Sequence, residues 1–257
     1  MDIIIICLAA FVTAILTFFS GFGLGTILTP VFMIFFPVEL AIALTGVVHF
    51  FNNIFKIFLI GRNADKQVLL RFGIPAVIAA FGGAWLLVNI PDAQPLFEYR
   101  MFGKHFEVYP VKFLIAVLLI IFATLDLFPF LKKMKFGKSK LPLGGALSGF
   151  FGGLSGNQGA FRSAFLIKAG LSKEAFIGTS VVVSAFVDIT RLGVYTTRMK
   201  ESGLTDNLLL VALAVLSAIT GAYLGNKLLK KVTIHSVQLI VAVMLILVSL
   251  ALGLGII

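Results

Sequence analysis

The chain has 257 residues, of which 60% are hydrophobic and only 12% charged, with a mean hydropathy of +1.09 and a formal net charge of +10. So few polar groups cannot cover a soluble globule of this size, and the composition assigns the chain to a bilayer. The basic residues fall mainly in short connectors between apolar runs instead of one stripe, which argues against a nucleic-acid partner and matches the positive-inside pattern of a multi-pass membrane protein.

Met1–Ala10 begins with Asp2 and has no basic leader region, so the first apolar run is expected to be retained and not cleaved. The single Cys7 excludes a disulfide framework and a cysteine-based metal site. The first segment, 3–36, is too long for one perpendicular crossing, and its middle reads SGFGLGTILTP over residues 20–30. Gly21, Gly23 and Gly25 fall within five positions there, and Pro30 closes the stretch. A re-entrant or broken helical hairpin fits this pattern. Such breaks persist in lipid only where protein or a wet cavity surrounds the exposed backbone.

Three ordinary transmembrane helices are predicted next, at 39–60, 68–90 and 109–131. The basic linker 132–140, KKMKFGKSK, is the clearest cytoplasmic loop. A second glycine-broken hairpin follows at 141–170, with SGNQGAFRSAF at its centre, and then helices at 174–197, 205–229 and 233–256. Working outward from the lysines, the mixed loop 91–108 and the stretch 198–204 face outside, and both termini are expected to be external.

An internal repeat supports this layout. Ser20-Gly21 aligns with Ser155-Gly156, Glu39 with Glu174, Asn53 with Asp188 and Lys56 with Arg191, all at a constant separation of 135 residues. FGGAWLL (81–87) matches ITGAYLG (219–225), and VKFLIAVLLI (111–120) matches VQLIVAVMLI (237–246). The expected fold class is therefore an all-α polytopic membrane protein built from two inverted repeats. Residues 1–131 form one half and 141–257 the other, each a broken hairpin plus three helices. That is the plan of secondary transporters, whose sites lie near the midplane at broken helices.

Polar residues inside the spans supply the candidate site. A half-helix starting after either glycine cluster presents unpaired N–H groups and the positive end of its dipole, which suits an anion. Ser20, Gly21, Gly23 and Gly25 in the first hairpin, and Ser155, Gly156, Asn157 and Gln158 in the second, are candidate substrate residues on this ground. The competing role for the glycines is close helix packing, which is the preferred reading for Gly82, Gly83 and Gly221. Arg162 lies among apolar neighbours, and its planar fork suits an oxyanion; the other reading is a snorkelling arginine. Thr45, His49, Asn52, Asn53 and Lys56 share one helical face, and Ser180, Ser184, Asp188 and Arg191 share the matching one. His49, Asn52 and Asn53 join the candidate substrate set. Lys56, Ser184, Asp188 and Arg191 form a coupling or structural network, with Asp188 paired to Arg191 one turn away. His49 is a candidate proton carrier, since histidine titrates near neutrality. Enzyme signatures are thin: no metal-ligand spacing, no phosphate loop, and only Ser20 or Ser155 with His49 as a conceivable nucleophile and base. No enzyme activity, metal or cofactor is expected.

The segments SGFGLGTILTPVFMIFF, ELAIALTGVVHFFNNIFKI and GFFGGLSGNQGAFRSAFLIKAGLSKEAFIGTSVVVSAFVDITRLGVY resemble the sulfite exporter TauE/SafE family. The likeness covers nearly the whole chain and is strongest in the two hairpins with their following helices. It implies a permease of the prokaryotic plasma membrane that exports small anions, often sulfite or organosulfonates. Where family members often carry a third glycine or a proline, this chain has Asn157-Gln158. A passive anion channel, or a permease for a non-sulfur organic anion, stands as the alternative. The expected partners are a small anionic substrate, the bilayer and a coupled proton or cation; a homodimer is compatible with the reading.

Overall fold

The computed structural model describes residues 2–18, 24–90, 94–101, 103–127, 137–198, 205–228 and 234–256. Ser20, Gly21 and Gly23 of the first glycine cluster, and most of the basic linker, lie outside these residues.

The described chain is mostly helical. α1 (Asp2–Thr17) and α2 (Leu24–Met33) form the first hairpin region and α3 (Val38–Ile60) follows. A short turn at Gly61–Asn63 leads into α4 (Lys66–Asn89), then come α5 (Pro110–Leu127), α6 (Leu141–Ser155), α7 (Gly159–Leu166), α8 (Lys173–Arg198), α9 (Leu208–Leu228) and α10 (Ile234–Gly253). Among the described residues, four helices are long and apolar enough to cross a membrane: Val38–Asn63, Lys66–Asn89, Lys173–Thr197 and Leu208–Lys227.

Local chemistry explains several boundaries. Asp65 starts α4 by accepting a hydrogen bond from the Val68 amide at 2.8 Å, which satisfies one of the orphan donors of a helix start. Leu69–Gly73 within α4 has π geometry, and Pro75 lies just beyond it without an N–H to continue the ordinary ladder. α6 ends at Gly156, whose φ of +79° favours glycine.

Helix α4 lies along α6 and α1 along α9, while α3 packs on α8 and α5 on α10. Small residues set the first two contacts. Gly145, Gly149 and Gly153 recur every fourth residue along α6, where an added Cβ would strike the backbone of Phe72, Ala76 and Ala80 respectively. Gly83 of α4 meets the Phe150 carbonyl in the same way, and Gly221 of α9 meets Phe11. Without hydrophobic drive between helices in lipid, this backbone approach supplies van der Waals contact. Gly82, one residue from Gly83, faces open space, so the packing role expected for it does not hold. Gly153, three residues before Gly156, is likewise a packing glycine.

The loop after α4 holds a two-stranded antiparallel hairpin, β1 (Phe97–Met101) and β2 (Lys104–Val108), with Glu98 opposite Glu107. Tyr99 donates its hydroxyl to the Leu254 carbonyl at 2.7 Å, tying the hairpin to the end of α10. Phe161 of α7 stacks on Phe151 of α6 at 5.3 Å, and Phe122 of α5 meets Phe151 edge-on at 5.4 Å. These rings hold the two halves of the broken helix together.

Candidate functional site

The polar faces of α3 and α8 turn toward each other. Thr45, His49, Asn52, Asn53 and Lys56 are buried on α3, and Ser180, Ser184, Asp188 and Arg191 on α8. Facing acyl chains would leave these groups unsatisfied at several kcal/mol each, about the cost that forces intramembrane polar groups inward. Gly46 makes room in this interface, because a Cβ there would come 3.3 Å from the Arg191 guanidinium carbon.

Asp188 is the hub. Arg191 brings Nε to Asp188 Oδ1 at 3.0 Å and Nη2 to the same oxygen at 2.9 Å. His49 Nδ1 lies 2.7 Å from Asp188 Oδ2, to which Asn53 Nδ2 donates at 3.1 Å. A carboxylate only accepts, so His49 carries its proton on Nδ1 in this contact and its protonation changes at Nε2. Gln158, the residue before α7, donates Nε2 to Asp188 Oδ1 at 3.4 Å. Asp188 is the only buried acid among the described residues.

Arg162 points from α7 toward α8 and donates Nη1 to the Ser184 hydroxyl, which itself donates to the Ser180 carbonyl at 2.9 Å. It is 2% exposed, so its head does not snorkel to an interface. Lys56, on α3, lies over the Phe18 ring at 5.4 Å. With its amide oriented so that both atoms find partners, Asn52 accepts from Lys56 Nζ at 3.2 Å and donates to the Ala218 carbonyl at 3.3 Å.

Arg162 and Lys56 line one cavity of about 20 Å³ together with His49, Asn53, Ser184, Thr17, Phe18, Leu24 and Val181. Residues from α1, α2, α3, α7 and α8 therefore converge on one small, mostly polar space. Thr17, Phe18, Leu24 and Val181 were not singled out from sequence, because apolar and threonine positions in a span carry no signal of their own. Tyr195, which donates its hydroxyl to the Gly153 carbonyl beside the break, was also missed.

The two breaks touch. A Cβ on Gly25, at the start of α2, would lie 3.3 Å from the Gly156 carbonyl and 3.8 Å from His49 Cδ2. One on Gly156 would lie 3.0 Å from Arg191 Nη1 and 3.5 Å from Thr29 Oγ1. Ser155 donates to the Phe151 carbonyl at 3.0 Å, and Ser148 to the Gln158 carbonyl at 2.8 Å, bracing the turn. Both side-chain amide atoms of Asn157, Gln158 Oε1 and Thr29 Oγ1 are buried without a hydrogen-bond partner.

A second cluster was invisible to spacing along the chain. Strand pairing brings ligand-type atoms of Glu98, His105 and Glu107 within 4.8 Å of one another on the hairpin, with His105 Nε2 at 3.1 Å from Glu98. All three are well exposed, unlike the cluster in the spans.

A helical membrane protein with a discontinuous helix and paired charges buried between its spans belongs structurally with transporters and channels. The chain belongs to the sulfite exporter TauE/SafE family, whose model matches residues 6–252, nearly its whole length. No curated protein and no solved structure matches it. Membership makes it a multi-pass membrane protein of a transporter family.

Proposed function

We propose that this chain is a secondary transporter that exports a small sulfur-containing oxyanion, sulfite or an organosulfonate, across a prokaryotic plasma membrane. The anion binds near the midplane between the two broken-helix starts, at α2 and α7, with Arg162 as its principal charged contact. The observation that carries this reading is the cavity that Arg162 and Lys56 line together. A guanidinium fork and an ammonium converge there beside the neutral donors of Asn53, Ser184 and Thr17, a set matched to an oxyanion. The contact between Gly25 and Gly156 and the unsatisfied amide of Asn157 support a role for both breaks.

The packing supports two inverted halves, 1–131 and 141–257 joined by 132–140. Exchanging α1–α5 for α6–α10 turns the α4–α6 contact into α9–α1 and maps the α3–α8 and α5–α10 contacts onto themselves. A volume of about 20 Å³ holds roughly one water. Admitting a sulfur oxyanion therefore needs α2 or α7 to move, as alternating access requires. Counterflow in proteoliposomes tests the reading: preloading with unlabelled sulfite should accelerate entry of labelled sulfite. A rate independent of the far-side load would identify a passive channel, and no sulfite or sulfonate flux at all would reject the substrate class.

A further inference from the structure

We propose that a groove between α4 and α8 binds an anionic phospholipid, one acyl chain lying along α4 and the phosphate resting on Lys66 and Arg71. The proposal does not depend on which anion the polar cavity takes.

The groove has a volume of about 300 Å³ and is lined by α4 from Leu69 to Ile78 and by Val183 and Phe186 of α8, all apolar. That volume lies at the lower end of ordinary ligand pockets. It opens where α4 has π geometry, Leu69–Gly73, an irregularity frequent at functional sites. Gly73 lines it without a side chain; a Cβ there would lie 3.5 Å from Val183 Cγ2, an ordinary contact. Leu70, Ile74, Ile78 and Phe186 are exposed, Ile78 at 69%. Val183 precedes Ser184, and Phe186 is two residues from Asp188, so a chain seated here backs the part of α8 that carries the polar cluster.

Length identifies the occupant. From Leu69 to Ile78 a helix rises about 14 Å, close to the ~15 Å of hydrocarbon in one leaflet. A single acyl chain matches that span, whereas a polar solute finds no hydrogen-bonding side chain in the lining. Charge selects the headgroup. Lys66 lies one turn before Leu69 and Leu70, where the groove continues toward the helix start, and Arg71 falls between the lining residues Leu70 and Gly73. With Arg62 of the preceding turn, both are exposed and make no ion pair among the described residues. Lys173 starts α8 at the same end, which the bond from the Asp65 amide to Thr179 Oγ1 at 2.9 Å joins to α4. The acids there are Asp65, whose Oδ1 accepts from the Val68 amide, and Glu174, so cations are in excess. Basic residues at the end of a span attract anionic lipid.

The test uses purified full-length protein in a neutral detergent, titrated with phosphatidylglycerol or phosphatidylcholine of identical chains. Melting temperature and native mass spectrometry are the readouts. Phosphatidylglycerol should remain bound through desolvation and raise the melting temperature by about 5 °C at saturation. Phosphatidylcholine should give a clearly smaller shift, and glycerol phosphate, which has no chains, none. Lys66→Gln combined with Arg71→Gln should reduce the phosphatidylglycerol shift to that of phosphatidylcholine. Gly73→Leu fills the groove from its wall and Ile78→Trp from an exposed position that tolerates bulk, so each should abolish both lipid shifts. Equal shifts from the two lipids in wild type, or a shift from glycerol phosphate alone, overturn the proposal. So does a phosphatidylglycerol shift retained in folded Ile78→Trp protein. A changed oligomeric state in that variant with lipid binding intact would make the groove a contact between copies, which also overturns it.

Discussion

Asn53 and Asp188, 135 residues apart, are hydrogen-bonded to each other, the Asn53 amide nitrogen donating to Asp188 Oδ2 at 3.1 Å. They are also the residues that superimpose when the two halves of the sequence are aligned. Equivalent positions of two copies touch only near the axis that relates the copies. The bond therefore fits a two-fold relation between the halves, such as the inverted arrangement proposed above, with its axis near the charged cluster.

Removing the acid at this hub should be expensive. Asp188→Asn leaves Arg191, which is 0% exposed, without its counter-charge. Breaking a buried pair from one side typically costs about 3–5 kcal/mol, because an unmatched charge remains. A large fall in melting temperature in detergent is expected, with Arg191→Met less harmful in the Asp188→Asn background than alone. Additive losses in the double variant would show that the two residues are not energetically coupled.

The breaks make a different prediction. Alanine at Gly156 forces a side chain into a backbone conformation with φ of +79° and toward Arg191 Nη1; left-handed geometry alone costs about 1–2 kcal/mol for a non-glycine residue. Alanine at Gly25 has ordinary geometry but presses on the Gly156 carbonyl at 3.3 Å. Gly25→Ala should therefore reduce transport more than stability, whereas Gly156→Ala should reduce both. Flux and melting point measured on the same preparations check this, and native flux in both variants would remove the breaks from the transport path.

Much of this arrangement was legible in the chain, and the rest was hidden for identifiable reasons. Glycine clusters inside apolar runs mark helix breaks because lipid tolerates few other causes. The faces of α3 and α8 follow from three- and four-residue spacing, and the Asp188–Arg191 pair from a separation of one turn. The partnership of His49 with Asp188 could not be read, since spacing fixes a face but not the rotation and height of one helix against another. Asn52 shares the α3 face yet turns toward Ala218, away from the cavity lining, for the same reason. The hairpin Phe97–Val108 passed as a mixed loop. Its alternation of Phe97 and Tyr99 with Glu98 and Arg100 was a usable strand signal, overlooked beside longer apolar runs.

Adjacent glycines of α4 give a sharp control on packing. Gly83 lies against the Phe150 carbonyl, while nothing comes within 4 Å of a Cβ placed on Gly82. Gly83→Ala should separate α4 from α6 and lower the melting temperature strongly. Gly82→Ala should be neutral or slightly stabilising, by up to about 1 kcal/mol from helix propensity. Equal effects at the two sites would mean that α4 does not lie on α6 as described.

Topology can be tested by labelling. Ser139, in the turn before α6, should be cytoplasmic, and Ser202, between α8 and α9, should be external, as the lysine distribution and the odd number of crossings per half require. In a background with Cys7 replaced by serine, single cysteines at these positions should react with an impermeant maleimide from opposite sides. Labelling of both from one side would end the inverted-repeat reading.

The proposed export needs a driving force. His49 lines the cavity and holds Asp188 through Nδ1 at 2.7 Å. Arg162, Arg191 and Lys56 are the other charged groups clustered around it. A proton gained at Nε2 would add charge beside the anion, and its loss would weaken the hold on it, so proton and anion movements become linked. His49→Gln preserves a donor toward Asp188 but cannot titrate. In proteoliposomes with an imposed pH gradient, that variant should lose uphill sulfite accumulation while still equilibrating labelled sulfite down its own gradient. Accumulation at the wild-type level would assign coupling to another group or to another ion. Loss of both movements, in a protein that still melts like wild type, would instead make His49 a binding residue with no separable part in coupling.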